Sequence, residues 1–339
     1  MKNIIVTGGA GFIGTNLIIE LLKDKNNKII NIDKFSYCSN SYLINKKKIF
    51  KNIKTDILNF DIIKKIIFSF KPDLIFHLAA ETHVDISLTD PFSYYDNNVK
   101  TTLNLLSIVN LALNKKILKK NFKFIHIGTD EIYGDISFNS KKTFKENQPL
   151  DPNNPYSASK AAAALMVTTW HKNFNFPCII TNSVNNYGTF QFVEKFIPRS
   201  IILASQQKYI EVYGKGKNIR TWISVKDHVR ALIFLAKQGH IGETYNISSG
   251  YRLQNIEIAK KIIKILKNKK IKARVKLVED RLGHDRQYSI NSNKLRSLGW
   301  RPIYNFDEEL EKMIDWYRDA NNLKIFKNIE KHLLRKGIN

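Results

Sequence analysis

The stretch Thr7-Gly8-Gly9-Ala10-Gly11-Phe12-Ile13-Gly14 constrains the fold more than any other feature of the chain. It follows the apolar run Asn3–Thr7 and opens a helical-period stretch, Phe12–Lys23. Two spacings fit: Gly8, Gly11 and Gly14 as G-x-x-G-x-x-G, and Gly9, Gly11 and Gly14 as G-x-G-x-x-G. Glycines so placed allow a tight turn and a close approach of backbone to a pyrophosphate, which then rests on the helix N-terminus. The spacing alone is weak, and its context of strand, helix and second strand gives it force. Asp33 closes that second strand about 20 residues beyond Gly11, where a carboxylate accepts hydrogen bonds from an adenosine ribose and repels a 2′-phosphate. NAD is therefore favoured over NADP, although Lys34 beside it is a cation that could tolerate the phosphate. Asp56 and Ile57 follow the third strand, as an adenine contact or as an ordinary strand end.

The rest of the first half repeats this alternation. Candidate strands are Lys28–Ile32, Ile49–Lys54, Leu74–Leu78, Phe122–Ile127 and Cys178–Asn182, with helices near Phe60–Phe70, Phe92–Leu113 and Pro155–Phe174. Near-continuous apolar strands alternating with helices predict an α/β fold, a Rossmann-type doubly wound parallel sheet covered on both faces. The polar stretch Ser137–Asn154 reads as a loop. Beyond about residue 188 the pattern turns irregular, with helices at Asp227–Lys237, Asn255–Leu266 and Phe306–Tyr317 and strands at Thr244–Ile247 and Lys272–Val278. The expected division is a cofactor domain over 1–188, the chain returning to it at about 221–247. A smaller C-terminal α/β substrate domain would take 189–220 and 248–339.

Asn154-Pro155-Tyr156-Ser157-Ala158-Ser159-Lys160 carries chemistry. Asn154 suits a helix N-cap and Pro155 the first helical position. Tyr156 and Lys160 then share one helix face at i and i+4. A phenol ionises near pH 10. A neighbouring ammonium and the positive ring of an oxidised nicotinamide would favour the phenolate, a base for a sugar hydroxyl that is losing hydride. Thr129-Asp130-Glu131 follows the strand Phe122–Ile127, at the carboxyl ends of the strands where such sheets bind ligands. Thr129 can hydrogen-bond the same sugar oxygen as Tyr156. Alcohol oxidation needs only the Tyr/Lys pair. Loss of water also needs a base for a carbon acid and an acid for the departing hydroxyl, which two carboxyls in different environments could divide. The alternative for the pair is a solvated acidic turn.

Composition narrows the classes. The formal charge is +25, from 55 Lys and Arg against 30 Asp and Glu. Lysine outnumbers arginine about fourfold, and no arginine precedes Arg199. Nucleic-acid sites lean on arginine forks. Scattered lysines instead fit an AT-rich coding bias, so neither nucleic acid nor membrane is the expected partner. No apolar run reaches the roughly 20 residues of a membrane span. Met1-Lys2-Asn3 leads straight into a strand, so no signal peptide is expected. Cys38 and Cys178 form neither a metal spacing nor a disulfide framework, and a cytoplasmic setting with no metal fits best.

With these residues in view, the chain resembles the dTDP-glucose 4,6-dehydratases over nearly its whole length. The matching segments are Thr7–Gly14, Asn31–Lys34, His77–Asp85, Gly128–Gly134, Pro155–Lys160, Asn185–Gly188, Gln191–Pro198, Val225–His228, Asp280–Asp285 and Leu298–Trp300. The Thr-Asp-Glu and Gly-His-Asp segments belong to the dehydratase branch, whereas the glycine fingerprint and Tyr/Lys pair are shared with sugar epimerases. The resemblance implies NAD as cofactor, with further contacts from Ser36, Leu78, Ala79, Ala80, Asn97 and Asn186. It implies oxidation at C4 of the hexose by Tyr156 and Lys160, removal of the C5 proton by Glu131 and protonation of the leaving C6 hydroxyl by Asp130. Thr82, Thr129 and Asn185 would touch the sugar of the nucleotide-sugar substrate. Lys195, Arg220, Asn255, Arg281 and His284 would hold its nucleotide diphosphate. Thr189, Val193, Thr221, Ser224, Ile86 and Leu282 depart from the family pattern and cluster in the substrate half, leaving open dTDP-glucose against UDP-glucose. The alternatives are a nucleotide-sugar 4-epimerase and a non-catalytic NAD-binding scaffold. A homodimer is expected, because the helices near Phe92–Leu113 and Pro155–Phe174 are apolar on more than one face, Ala161–Ala164 included.

Overall fold

The computed structural model describes residues 2–43, 50–138, 140–280 and 285–333. Seven strands form one parallel sheet. They are β1 (Lys2–Thr7), β2 (Asn27–Asp33), β3 (Phe50–Lys54), β4 (Leu74–His77), β5 (Lys123–Thr129), β6 (Cys178–Ser183) and, later in the chain, β10 (Thr244–Ile247). Their spatial order is β10-β6-β5-β4-β1-β2-β3. The order reverses between β1 and β4, which opens a crevice at the carboxyl ends of the strands, the usual ligand position in such sheets. Side chains alternate across the sheet. Ile4, Val6, Ile125 and Ile127 join the core under α1 (Phe12–Leu21), together with Val229 and Leu232 from a later helix. Ile5, Ile75, Phe124 and Ile180 join the core on the opposite face, beside α2 (Phe60–Phe70). Burial on both faces explains why these strands read as unbroken apolar runs.

The expected helix Phe92–Leu113 is broken. The chain makes α3 (Val84–Thr89), α4 (Pro91–Tyr94), a π-helical turn over Tyr95–Lys100, and then α5 (Thr101–Asn114). The cause is polar competition for the backbone. Thr101 and Thr102 donate their hydroxyls to the carbonyls of Asn97 and Asn98, at 2.7 and 2.6 Å. The Asn98 amide turns away to bond both backbone groups of Glu81. Single π turns of this kind cluster at functional sites.

The helix α6 keeps its expected bounds, Pro155–Phe174. Asn154 accepts the Ser157 N–H at 2.9 Å in a reciprocal capping box, Pro155 takes the first turn, and Asn175 ends the helix in a left-handed conformation. Ala161, Ala163 and Ala164 are buried within the chain itself. They let the helix sit close to the sheet and are not a face for a partner.

The second half is more regular than its sequence pattern suggests. Its elements are β7 (Asn185–Tyr187), α7 (Phe196–Ser205), β8 (Tyr209–Tyr213), β9 (Ile219–Ser224), α8 (Val225–Gln238), β11 (Tyr251–Gln254), α9 (Asn255–Asn268), β12 (Arg274–Val278), α10 (Asn293–Ser297) and α11 (Phe306–Arg318). β11, β9 and β7 form a small sheet, and β12 pairs with β8. The expected return to the large sheet over 221–247 is therefore made by α8 and β10, while β9 stays in the small sheet. No helix among the described residues is long and apolar enough to cross a membrane.

Candidate active site

A cavity fills the crevice at the β1/β4 switch, and the glycine fingerprint forms its floor. Gly8 has φ +72°, and a Cβ there would lie 2.8 Å from the Ala79 backbone. At Gly14 a Cβ would lie 2.4 Å from the Gly8 carbonyl oxygen, so loop and helix pack directly. Unlike α6, helix α1 begins at Gly11 with no side-chain cap and no acidic residue in its first turn. Its N-terminus, at Gly11, Phe12, Ile13 and Gly14, lines the cavity and offers amides and a positive dipole end to an anion.

Asp33, at the end of β2, accepts the Ala10 N–H at 2.9 Å and the Phe35 N–H at 2.7 Å. The carboxylate thus ties the glycine loop to the sheet while lining the cavity, and burial raises its pKa. Lys34 reaches Glu81 and Asn97, each at 2.7 Å. This neutralises the cation that would otherwise welcome a 2′-phosphate. Ser36, Asp56, Ile57, Leu78, Ala79, Ala80 and Asn97 line the same cavity. Asp56 also closes a local turn by accepting the Leu58 N–H at 2.8 Å. Asn186 is not in the lining. Its amide bonds Ser183 and Val184, and its side-chain oxygen faces His228 Nδ1 at 2.9 Å.

Tyr156 and Lys160 line the far end of the cavity. Lys160 Nζ donates to the Ile127 carbonyl at 2.7 Å, and burial pushes its pKa down to about 8. The expectation that Lys160 favours the phenolate is not met in the protein alone. Burial, then the charge of Glu131, pushes Tyr156 above the usual tyrosine range, and the nearby Thr129 hydroxyl pulls the other way. Lys160 spends its ammonium on a carbonyl, so the push toward phenolate falls to Thr129 and to whatever positive charge binds beside the ring.

Thr129 is the last residue of β5, and Asp130–Tyr133 follows as a 3-10 turn. The Thr129 hydroxyl lies 3.4 Å from both the Glu131 N–H and Asp130 Oδ1. Asp130 is buried, and its Oδ2 has no hydrogen-bond partner among the described residues. Burial, then the charge of Glu131, raises its pKa well above the carboxylate range, against a smaller opposing pull from Arg220. Burial thus favours the acid form of Asp130.

Thr82 and Lys195 also line the cavity, and Lys195 donates to the Thr82 carbonyl at 2.9 Å. Asn185 lies on β7 with its Oδ1 buried and unpartnered among the described residues. Arg220 stacks 4.6 Å from the Tyr288 ring and donates to the carbonyls of Ile219 and Asp285. Asn255 opens α9 and bonds the Asn218 carbonyl through its N–H. Arg281 and His284 lie outside the described residues. The sequence reading missed Cys38, Glu81, Thr101, Gln191, Phe192 and Glu194 in the cavity wall. Glu81 and Glu194 were findable, since each neighbours a named residue in a matching segment. Of the departures, Ser224 caps α8 by accepting the Lys226 N–H at 3.3 Å, and Thr221 donates to the Tyr288 carbonyl at 3.2 Å.

The family model for GDP-mannose 4,6 dehydratase matches residues 5–313. The dTDP-glucose 4,6-dehydratase of Haemophilus influenzae is 38% identical over 334 residues, covering 94% of this chain and 98% of that protein. The chain belongs to this dehydratase family. Among solved structures, the Bacillus anthracis dTDP-glucose 4,6-dehydratase in complex with NAD is 33% identical with a TM-score of 0.85, covering 97% of this chain and 100% of that one. The Streptomyces venezuelae dTDP-glucose 4,6-dehydratase, also with NAD bound, is 31% identical with a TM-score of 0.88, covering 96% and 99%. A UDP-glucose 4-epimerase from Thermus thermophilus has a TM-score of 0.84 at 22% identity, which speaks for the shared fold. The fold is thus common to a dehydratase and an epimerase, so the carboxyl pair beside Tyr156 becomes the informative feature.

Proposed function

We propose that this chain is a nucleotide-sugar 4,6-dehydratase, a hydro-lyase that uses NAD and takes dTDP-glucose. The observation that carries the reading is Asp130, buried beside Glu131 and Thr129 at the Tyr156 site, where burial favours its acid form. A 4-epimerase needs no such acid. NAD fits the residues present: the uncapped start of α1 suits its pyrophosphate, Asp33 its ribose, and the apolar wall at Ile57 and Leu78–Ala80 its adenine end. Bound there, the nicotinamide supplies an acceptor for hydride from C4 and a donor of it to C6. Tyr156 Oη takes the C4 hydroxyl proton, and Lys160 orients the bound ribose. Glu131 takes the C5 proton, which the 4-ketone has made acidic, and later returns it. Asp130 gives its proton to the C6 hydroxyl, which leaves as water. The nucleotide lies between the large sheet, including α8 and β10, and the smaller unit over 189–220 and 248–339. There Arg220, Lys195 and Asn255 face its diphosphate. Incubation with dTDP-glucose and with UDP-glucose, read by NMR, tests the reading. Faster formation of a 4-keto-6-deoxy sugar from dTDP-glucose is the expected result.

NAD should bind more tightly than NADP, because the Asp33 carboxylate repels a 2′-phosphate and Lys34 is occupied by Glu81. In a binding titration the Asp33→Ala variant should narrow the gap, mainly by weakening NAD. Equal affinity of the wild type for both cofactors would contradict the assignment.

The protein is proposed to work in the cytoplasm as a homodimer. Phe92 is 81% exposed, Tyr95 55% and Leu165 53%, and they lie on α4, the π turn and α6, which pack against one another. A second copy of this face would cover them as a helical interface. Light scattering at micromolar concentration should give a dimer mass, and Phe92→Asp with Leu165→Asp should give a monomer. A monomeric wild type would refute it.

A further inference from the structure

This inference rests on the dehydratase reading, which makes a demand on the cofactor site. Hydride taken from C4 is needed again at C6. Loss of the cofactor between the two steps would leave a stranded 4-ketone and a site without its oxidant. Retention of the dinucleotide therefore has to be built into the cavity wall. Two loops form part of that wall. Residues 35–43 follow β2 and wrap the Asp33 carboxylate, which accepts the Phe35 N–H at 2.7 Å and the Ser39 hydroxyl at 3.5 Å. Ser36, Cys38 and Ser39 of this loop line the cavity, as do Gln191, Phe192 and Glu194 of the loop over 190–195. Each loop contains an aromatic residue in the left-handed region near its start, Phe35 at φ +56° and Phe190 at φ +70°. Such backbone persists where the surrounding structure holds it.

The hold comes from the segment after α11, which carries α12 (Ala320–Leu323) and α13 (Ile329–Leu333). The His332 ring stacks on Tyr37, with centroids 5.0 Å and planes 18° apart, and meets Phe192 edge-on at 5.0 Å. Tyr37 in turn meets Phe192 at 5.6 Å and donates its hydroxyl to Glu194 at 3.3 Å. The three rings rivet one loop to the other. Backbone bonds flank the rivet. The Ile325 carbonyl accepts the Ser41 N–H at 3.0 Å, and the Leu333 carbonyl accepts Arg199 Nε at 2.8 Å. Arg199 is buried and paired with Glu211 at 2.8 Å, which anchors the arm in α7 and β8. The far end of the first loop is fixed separately, since Asn40 bonds the Ala10 carbonyl of the glycine turn at 2.9 Å through both its N–H and its amide. The middle of that loop, where Tyr37 lies, is the part the arm holds.

We propose that residues 320–333 are a latch on the cofactor, in which His332 and Tyr37 are the positioning pair that keeps both loops closed over the bound dinucleotide. Ile325, His332 and Leu333 stand behind the cavity lining and act through the loops in front of them. NAD leaves when the His332–Tyr37 stack parts and the stretch Phe35–Ser39 swings away from Asp33.

The test measures how fast labelled NAD leaves the loaded full chain when chased with an excess of unlabelled NAD. His332→Ala should speed release about three- to tenfold, the contribution of one aromatic pair, and Tyr37→Ala at least as much. His332→Phe, which puts a ring back on Tyr37, should return release to within about twofold of wild type. The double variant Tyr37→Ala/His332→Ala should release NAD within about twofold of the Tyr37→Ala rate, because the two side chains act as one pair. If Tyr37→Ala does not fold, Tyr37→Leu takes its place in this cycle. NAD release at the wild-type rate from both single variants would overturn the latch. So would failure of His332→Phe to restore retention, or a double variant whose effect is the product of the two single ones. These results would make the arm a general support of the fold. The chase needs no sugar, so it stands apart from the reaction. A wild type that makes no 4-keto-6-deoxy sugar, with NAD release still quickened by His332→Ala and restored by His332→Phe, overturns the dehydratase reading and upholds the latch.

Discussion

Replacing Tyr156 by Phe is expected to stop the reaction at its first step. The phenol is the group at the cavity's far end that can take the C4 hydroxyl proton, and general bases of this kind contribute roughly 10²–10⁴-fold. The variant keeps its ring and its place on α6, so folding and NAD binding should survive. In a single-turnover mix with dTDP-glucose, the absorbance of reduced nicotinamide should fail to rise. A Tyr156→Phe chain that reduces its cofactor at the wild-type rate would remove Tyr156 from the mechanism.

The second large effect separates elimination from oxidation. Glu131→Gln keeps the size of the side chain but cannot take a proton, and Asp130→Asn cannot give one as an acid. Oxidation by Tyr156 and Lys160 should survive in both, while elimination slows by about 10²–10⁴-fold. Reduced nicotinamide should therefore accumulate, the opposite of the Tyr156→Phe result. Asp130→Asn also replaces a buried carboxyl whose surroundings favour its uncharged form, so stability should change little. If both variants form product at the wild-type rate, the pair is a solvated turn.

The large sheet was legible in the sequence because its strands are buried on both faces, which writes them as apolar runs. The helices over Pro155–Phe174 and Phe60–Phe70 were legible through caps and period. The break within Phe92–Leu113 was not, because the backbone bonds of Thr101 and Thr102 and the turn-out of Asn98 depend on Glu81, distant in sequence. Strands β7 and β11 escaped because three- and four-residue strands carry no period. At the site, the fingerprint, Asp33, Tyr156 and Lys160 came from motif and spacing, and the acid pair from its place after β5. The electrostatics did not. A Tyr/Lys spacing suggests a lowered phenol, whereas the folded chain buries the ring beside Glu131 and ties Lys160 to a carbonyl. The placement of Arg220 was also out of reach, since its stack on Tyr288 and its bond to the Asp285 carbonyl join segments far apart in the chain.

Incubation of the NAD-loaded chain with dTDP-glucose in deuterium oxide, with the product read by mass and NMR, tests the central claim most directly. The dehydratase account predicts a sugar nucleotide that has lost one water, with a ketone at C4, a methyl group at C6 and deuterium at C5 through exchange at Glu131. A product of unchanged composition with inverted C4 and no C5 deuterium would contradict it and return the chain to the epimerase chemistry of its scaffold.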